Sequence, residues 1–335
     1  LICLYDHNKF TIEGHTSRSY SDDGAARFRA YNWHQQDLED GGNDINTISA
    51  ALQEARQVTD KPSMILLKTH IGYGSPHKQD TPEAHGAPLG AEEVRRTKNA
   101  YGWPEDAQLL VPDDVKDHMR GAVERGALWE NTWDAAMADY QKAHPGKYDL
   151  LQSYYAQKLP GDWTSAVKVY RPEDGPMATR EVSRDFLNSI ADKLPWLIGG
   201  SGDLEPSTLT LIKSSGYFEK DKYAGRNIAY GIREHVMCAA TSGLTLHGGV
   251  RAYAATFFIF SDYGRPAIRL AAIMDLPVIY VMTHDSIGLG EDGTTHQPVE
   301  HLASLRAMPH LWVIRPADAN EGNYAWQMAL ERKDG

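Results

Sequence analysis

Cysteine is scarce in this 335-residue sequence: Cys3 and Cys238 are the only two, without a CxxC pair or a Cys/His spacing that frames a metal. That excludes a disulfide scaffold and suits a reducing, cytoplasmic setting, with both thiols read as small core residues. Runs of positive charge are missing as well. No Lys/Arg run exceeds two residues and the net charge is −11, which argues against a polyanion-binding surface while leaving room for a local basic pocket that takes one phosphate. Long apolar runs are absent. The most apolar stretch, 267–282, is broken by Arg269, Asp275 and Pro277, so neither a membrane span nor a signal peptide is expected. There is no internal repeat and no low-complexity segment. The sequence starts directly on an apolar strand, Leu1–Tyr5, and stops just after a helix, so it reads as an internal portion of a longer protein.

What is present fits an α/β protein of about two domains. Leu1–Tyr5 is expected as a buried parallel strand, and Ser63–Lys68 as its neighbour. Between them Ile48, Ala51, Leu52 and Ala55 recur at helical spacing. A long Gly-, Pro- and His-containing loop over 69–90 has the length of a functional loop. Residues 105–170 are charged and helical, with Trp129 and Trp133 one turn apart and a helix through Ala135–Ala143. A second unit starts near Thr179, expected to cap a helix that buries Val182, Phe186 and Ile190. Strands follow at Leu197–Gly200, Ile228–Tyr230, Ala252–Phe258, Pro277–Thr283 and Trp312–Arg315, and Asp318-x-x-Glu321 has the form of a capping box. The alternation of strand and helix predicts parallel sheets flanked by helices, with domains at 1–145 and 179–335 and a linker at 146–178.

Chemistry concentrates where strands end. Tyr280–Pro298, YVMTHDSIGLGEDGTTHQP, begins as a strand and breaks into a loop with two histidines, two aspartates and a glutamate between His284 and His296. So many ionisable groups beside a buried strand need a functional reason. Glu234 in GIRE opens a helix, where a carboxylate either complements the helix dipole or serves a bound heterocycle. Phe257, Phe260 and Tyr263 form either core or a slot for a planar ring. Asn8 and the Phe10 carbonyl follow the first strand; they suit a turn or a hard cation. Ser207 in SGDLEPS and Arg180 on the preceding helix suit a phosphate, although each alone reads as turn and surface charge. His70, His77 and His85 lack the compact ligand spacing of a zinc site.

Together and in this order, YDHNKFTIEGH, KTHIGYGS, HGAPLG, SGDLEPSTLT, GIREH, FFIFSDYGRPAIRLAA and THDSIGLGEDGTTHQPVEHLASLR resemble the transketolase family across nearly the whole chain. GIRE-like glutamates occur across thiamine diphosphate enzymes, whereas the HGAPLG and THDSIGLGEDG segments are specific to transketolase and close relatives. The resemblance implies two thiamine diphosphate-binding-fold domains. One binds the cofactor diphosphate and one its pyrimidine, in a homodimer that holds each cofactor between subunits. It implies Mg2+ or Ca2+ on Asn8 and the Phe10 carbonyl, and Glu234 as proton donor to the pyrimidine, which promotes the nucleophilic ylid. Phe257, Phe260 and Tyr263 would enclose the pyrimidine, with Asp203 beside the cofactor. His85 and His296 would assist proton transfers, with His85 also near the cofactor. Asp292 would read the donor's C2 hydroxyl, and Arg180, Ser207 and His284 would hold the sugar phosphate. The implied activity is transfer of a two-carbon ketol unit from a ketose phosphate to an aldose phosphate. Formaldehyde as acceptor (dihydroxyacetone synthase) and a catalytically inert fragment are the alternatives. Thr294, His70 and His7 depart from the family's commonest residues, none at an assigned mechanistic position.

Overall fold

A computed structural model describes residues 1–334, residue 40 by its backbone alone. The chain divides into two compact units, Leu1–Ala127 and residues from Leu128 onward. Among the described residues no helix is long and apolar enough to cross a membrane.

The first unit is built on β1 (Ile2–His7), the short hairpin β2 (Phe10–Thr11) and β3 (Gly14–His15), α1 (Gly24–Ala30), β4 (His34–Asp37), α2 (Ile45–Gln57), β5 (Ser63–Lys68) and α3 (Ala91–Ala100). The sheet is parallel, in the order β1-β5-β4. SMILLK has no polar residue between Ser63 and Lys68, and β5 is accordingly the buried central strand. Its Ile65 and Leu67 pack on Ala51 and Ala55 of α2, the expected helical face. β1 is parallel as expected but not buried: it is the sheet edge, with Leu4 51 % exposed. An apolar run specifies a strand; it does not specify a neighbour on each side.

Helix α4 (Asp113–Ala143) extends far upstream of the expected Ala135 and crosses the division between the units. Trp129 and Trp133 lie on it one turn apart, both exposed. Helix α5 (Pro145–Ala156) has Pro at its first position, where the missing N–H costs nothing, and ends on Gln157 in the left-handed region.

The second unit then runs α6 (Thr179–Ile190), β6 (Leu197–Ser201), α7 (Glu205–Thr208), β7 (Asn227–Ala229), α8 (Glu234–His247), β8 (Arg251–Phe257), α9 (Ser261–Ile273), β9 (Ile279–Thr283), α10 (His301–Arg306) and α11 (Ala319–Glu331). Its four-stranded parallel sheet has the order β7-β6-β8-β9. Every residue of β8 is buried, and successive side chains serve opposite faces. Tyr253 joins Phe186 of α6, Leu197 and Trp326 of α11 on one face; Ala254 joins Met237 and Cys238 of α8 and Ile268 of α9 on the other. Phe186 stacks on Trp326 at 6.0 Å, and the Trp326 indole N–H donates to Ser183 Oγ at 2.8 Å. Helices α8 and α9 meet at Gly264, where an added Cβ would lie 2.8 Å from Cys238 Sγ.

Three local expectations are corrected. Thr179 does not cap α6: Ala178 stands at the N-cap, and its N–H donates to Glu181 Oε2 at 3.2 Å. Asp318 does cap α11, accepting from Glu321 N–H at 2.9 Å, but Glu321 reaches one residue further back, to Ala317 N–H at 2.7 Å. Trp312–Arg315 forms no ladder among the described residues. Leu311 and Val313 pack on the α8–α9 core, so the alternation of the segment is satisfied by side chains without backbone pairing.

Candidate functional site

All four strands of the second sheet point their carboxyl ends at one region, because the parallel register sets Ser201 opposite both Ala229 and Ala255, and Phe257 opposite Thr283. The residues just beyond those ends are the expected ones: Asp203 after β6, Glu234 after β7, Phe260 after β8 and His284 after β9. This is where open parallel sheets bind ligands.

Side chains from separate elements meet there. Arg180, in the first turn of α6, donates through Nη1 to the Ser207 carbonyl at 3.3 Å and to His284 Nε2 at 3.2 Å. His284 holds a left-handed φ of 55°, a strained conformation for a residue with a Cβ and one that clusters at functional sites. Its ring lies 3.7 Å from Phe257, stacked, and its Nδ1 is 2.9 Å from Thr283 Oγ1. Phe257 also stacks on Phe260 at 5.8 Å, and His296 stands edge-on to Phe260 at 5.3 Å. Tyr263 extends the cluster from Phe260 at 6.1 Å, its own ring largely exposed. Asp292 is exposed and makes no hydrogen bond among the described residues, but its charge acts on His284. Burial, and next the Arg180 guanidinium, hold the His284 imidazole below its ordinary value, against the pull of Asp292. A neutral His284 keeps the Nε2 lone pair that Arg180 donates to.

Glu234 is only 8 % exposed, yet among the described residues nothing donates a hydrogen bond to its carboxylate. Its oxygens are not among the fully buried unpartnered atoms, so the carboxylate still reaches the surface and is open to a donor from a ligand. Burial, and then this neighbouring charge, push the Cys238 thiol up to about 12, so Cys238 is inert. Gly202 lies beside Glu234: an added Cβ would be 3.4 Å from the Gly231 carbonyl and 3.8 Å from Glu234 Oε1, both ordinary contacts. A mostly buried acid without a donor, with an aromatic cluster beyond the adjoining strand, fits a planar heterocycle with a basic ring nitrogen. Asp203, next to Gly202, is exposed and left-handed at φ 64°.

The first unit presents its candidates differently. Asn8 Oδ1 accepts from Phe10 N–H at 2.9 Å, which orients the amide oxygen and leaves it a second lone pair. With the Phe10 carbonyl this is a hard-oxygen pair that fits a small divalent cation. His85 closes a 3-10 turn over Pro82–Ala84, its side chain exposed and without a partner among the described residues. His70 is paired with Asp80 at 2.7 Å and His77 with Glu93 at 2.9 Å, so the loop histidines do not converge as a zinc site would require. Among the described residues the one group of three potential metal ligands is Asp262, Glu300 and His301. There His301 Nε2 is already bonded to Asp262 at 3.0 Å, a buried histidine paired with an exposed carboxylate between α9 and α10.

Sequence reasoning missed two features. Arg315 pairs with Asp285 at 2.5 Å, bracing the corner at His284 from the other side; two opposite charges thirty residues apart gave no signal. The His284–Phe257 stack was equally hidden, since it depends on the left-handed turn at His284.

The class follows from the fold and the matches together. Residues 1–160 match the family described as transketolase, thiamine diphosphate binding domain, and residues 175–335 match transketolase, pyrimidine binding domain. The chain therefore carries two thiamine diphosphate-binding-fold domains, α/β with parallel sheets flanked by helices. It is 51% identical over 335 residues to the transketolase of Geobacillus stearothermophilus, covering all of this chain and 50% of that protein, and 49% identical to that of Nostoc sp., covering 99% and 50%. A crystal structure of a Pichia stipitis transketolase in complex with sedoheptulose 7-phosphate superposes with a TM-score of 0.95 at 40% identity, over 100% of this chain and 50% of that one. The transketolase of Leishmania mexicana does so at 0.94 and 39%, over 99% and 49%. The chain belongs to the transketolase family, and it spans about half the length of the curated relatives it matches.

Proposed function

We propose that the protein containing this chain transfers a two-carbon ketol unit from a ketose phosphate to an aldose phosphate, using thiamine diphosphate and a divalent cation. The observation that carries this is the meeting of Arg180, Ser207 and His284 at one point, against the Phe257–Phe260–His296 cluster. It supplies a forked cation for a phosphate beside an apolar slot for a ring.

Bound there, thiamine diphosphate would supply a carbon nucleophile and an electron sink for C–C cleavage. The chain's own residues would do the rest. Glu234 would hold a proton at the pyrimidine ring nitrogen, a strong interaction because the carboxyl is buried. Phe257, Phe260 and Tyr263 would enclose the pyrimidine and exclude water, with Asp203 and His85 close to the cofactor. Asn8 Oδ1 and the Phe10 carbonyl would ligate Mg2+, or Ca2+ in its place. His296 and His85 would contact the reacting hydroxyls and move their protons. Asp292 would read the donor's C2 hydroxyl, and Arg180, Ser207 and His284 would take the phosphate. We read the domains as 1–145 and 179–335 with a linker at 146–178. We further assign a cytoplasmic homodimer with sites at the subunit interface, serving the pentose phosphate pathway or the Calvin cycle.

The test is turnover of the full-length protein with xylulose 5-phosphate as donor, comparing ribose 5-phosphate with unphosphorylated ribose as acceptor. Arg180→Ala is expected to lower kcat/KM for the phosphorylated acceptor about 10- to 100-fold, the worth of one charged hydrogen-bonding group, and to leave ribose nearly unchanged. Equal loss with both acceptors overturns the phosphate assignment. Preference for formaldehyde over ribose 5-phosphate moves the protein to dihydroxyacetone synthase.

A further inference from the structure

A single carboxylate ties α3 to the loop that carries His85. Glu93, in the first turn of α3, is 8 % exposed. Its Oε1 accepts from Ser75 Oγ at 2.5 Å and from His77 N–H at 2.8 Å, and its Oε2 lies 2.9 Å from His77 Nδ1. The next residue continues the tie. Lys78 N–H donates to Ser75 Oγ at 3.2 Å, and Lys78 Nζ reaches the carbonyls of Leu89 at 3.0 Å and Pro88 at 3.4 Å. Both flanks of His85 are thus held, one on α3 through Glu93 and the other on Lys78. In between, Thr81 Oγ1 donates to the Lys78 carbonyl at 2.8 Å and His85 N–H to the Pro82 carbonyl at 3.0 Å. The exposed His85 side chain makes no hydrogen bond, ion pair or ring contact among the described residues, so it is the backbone of this loop that places it.

A loop of this length has much conformational entropy to lose, and exposed hydrogen bonds alone hold it weakly. An ionised acceptor taking several donors is the stronger kind of anchor. The Ser75 hydroxyl first, and then the His77 N–H, hold the Glu93 carboxyl down at about 2, so the anchor is ionised across the working range of pH.

We propose that Glu93, seconded by Lys78, is a positioning residue for His85, fixing the 75–89 loop in the one arrangement that presents the imidazole to the sugar substrate. This rests on reading His85 as a substrate contact. The experiment combines steady-state kinetics with amide hydrogen exchange on the full-length protein. Glu93→Ala is expected to raise exchange across 75–89 by about tenfold. It should also lower kcat about 10- to 100-fold, since a displacement near 1 Å is enough for that. In a His85→Ala background the same substitution should cost less than about twofold, because the group it places is already gone. Glu93→Gln keeps an Oε1 acceptor and should restore most of the loss. Lys78→Met, which empties no core position, should reproduce the exchange and kinetic effects in weaker form, and carries the test if Glu93→Ala fails to fold. Equal losses with and without His85, or unchanged exchange over 75–89, overturn the proposal. Absence of sugar-phosphate turnover in the unsubstituted protein would sink the ketol-transfer reading instead, while the exchange result still decides whether Glu93 orders the loop.

Discussion

The two units solve the same problem by different means. Both set loops that carry candidate site residues at the carboxyl ends of parallel strands. In the second unit the candidate side chains touch one another: Arg180 bonds His284, His284 stacks on Phe257, and Phe260 meets His296 and Tyr263. In the first unit Asn8 is fixed by its own turn and His85 by a hydrogen-bonded loop, with no side-chain contact between them. The cores differ in parallel. The second sheet has four strands with a large cluster on each face, whereas the first has three, with a small cluster on α2 and an exposed edge strand. Packing preorganises one set of residues; backbone hydrogen bonds and one buried anion preorganise the other.

Removing packing from each unit in turn should have the largest effect. Phe186→Ala should destabilise the second unit by about 3–5 kcal/mol, the usual range for emptying a buried aromatic position. Leu4→Ala on the exposed edge strand should stay within about 0.5 kcal/mol. Denaturant unfolding followed separately in each unit checks both, and equal effects would remove the contrast.

A smaller effect tests whether the second site is preformed. His284 has its proton affinity lowered by burial and by Arg180, so the folded state binds that proton less readily than the unfolded chain. Its contribution to stability is therefore full above 6.5 and is lost as pH falls below that value. NMR titration should place the His284 midpoint below 6.5. Arg180→Ala should raise it, though not to 6.5, because burial is the larger cause. A midpoint at or above 6.5 in the unsubstituted protein would mean that neither the burial of His284 nor its contact with Arg180 persists.

The smallest effect lies in acid and belongs to the first unit. Glu93 is held at about 2 against an ordinary 4.5, so its contribution is complete above 4.5 and declines as pH falls toward 2. Exchange in 75–89 should be independent of this group between pH 5 and 8 and should rise between about 4.5 and 2. A rise already at pH 6 would assign the loop's order to a histidine.

Much of the second site was legible because its residues directly follow strands whose apolar runs are easily read, and strand ends are where such sheets bind ligands. The contact of His284 with Phe257 was not, since it depends on one left-handed residue that no local pattern announces. Glu93 was hidden for another reason. An acid in the first turn of a helix has an ordinary explanation in the helix dipole, and its partners lie 16–18 residues upstream in an irregular loop. β1 shows the limit of apolar runs, which identify a strand without identifying what lies beside it.

Glu234, mostly buried and without a donor of its own, is the residue proposed to hold the proton of the site. The direct measurement is ketol transfer from xylulose 5-phosphate to ribose 5-phosphate by full-length Glu234→Ala with saturating thiamine diphosphate and Mg2+, beside far-UV circular dichroism of the same sample. A native spectrum with transfer abolished is the expected result. A native spectrum with turnover retained would contradict it.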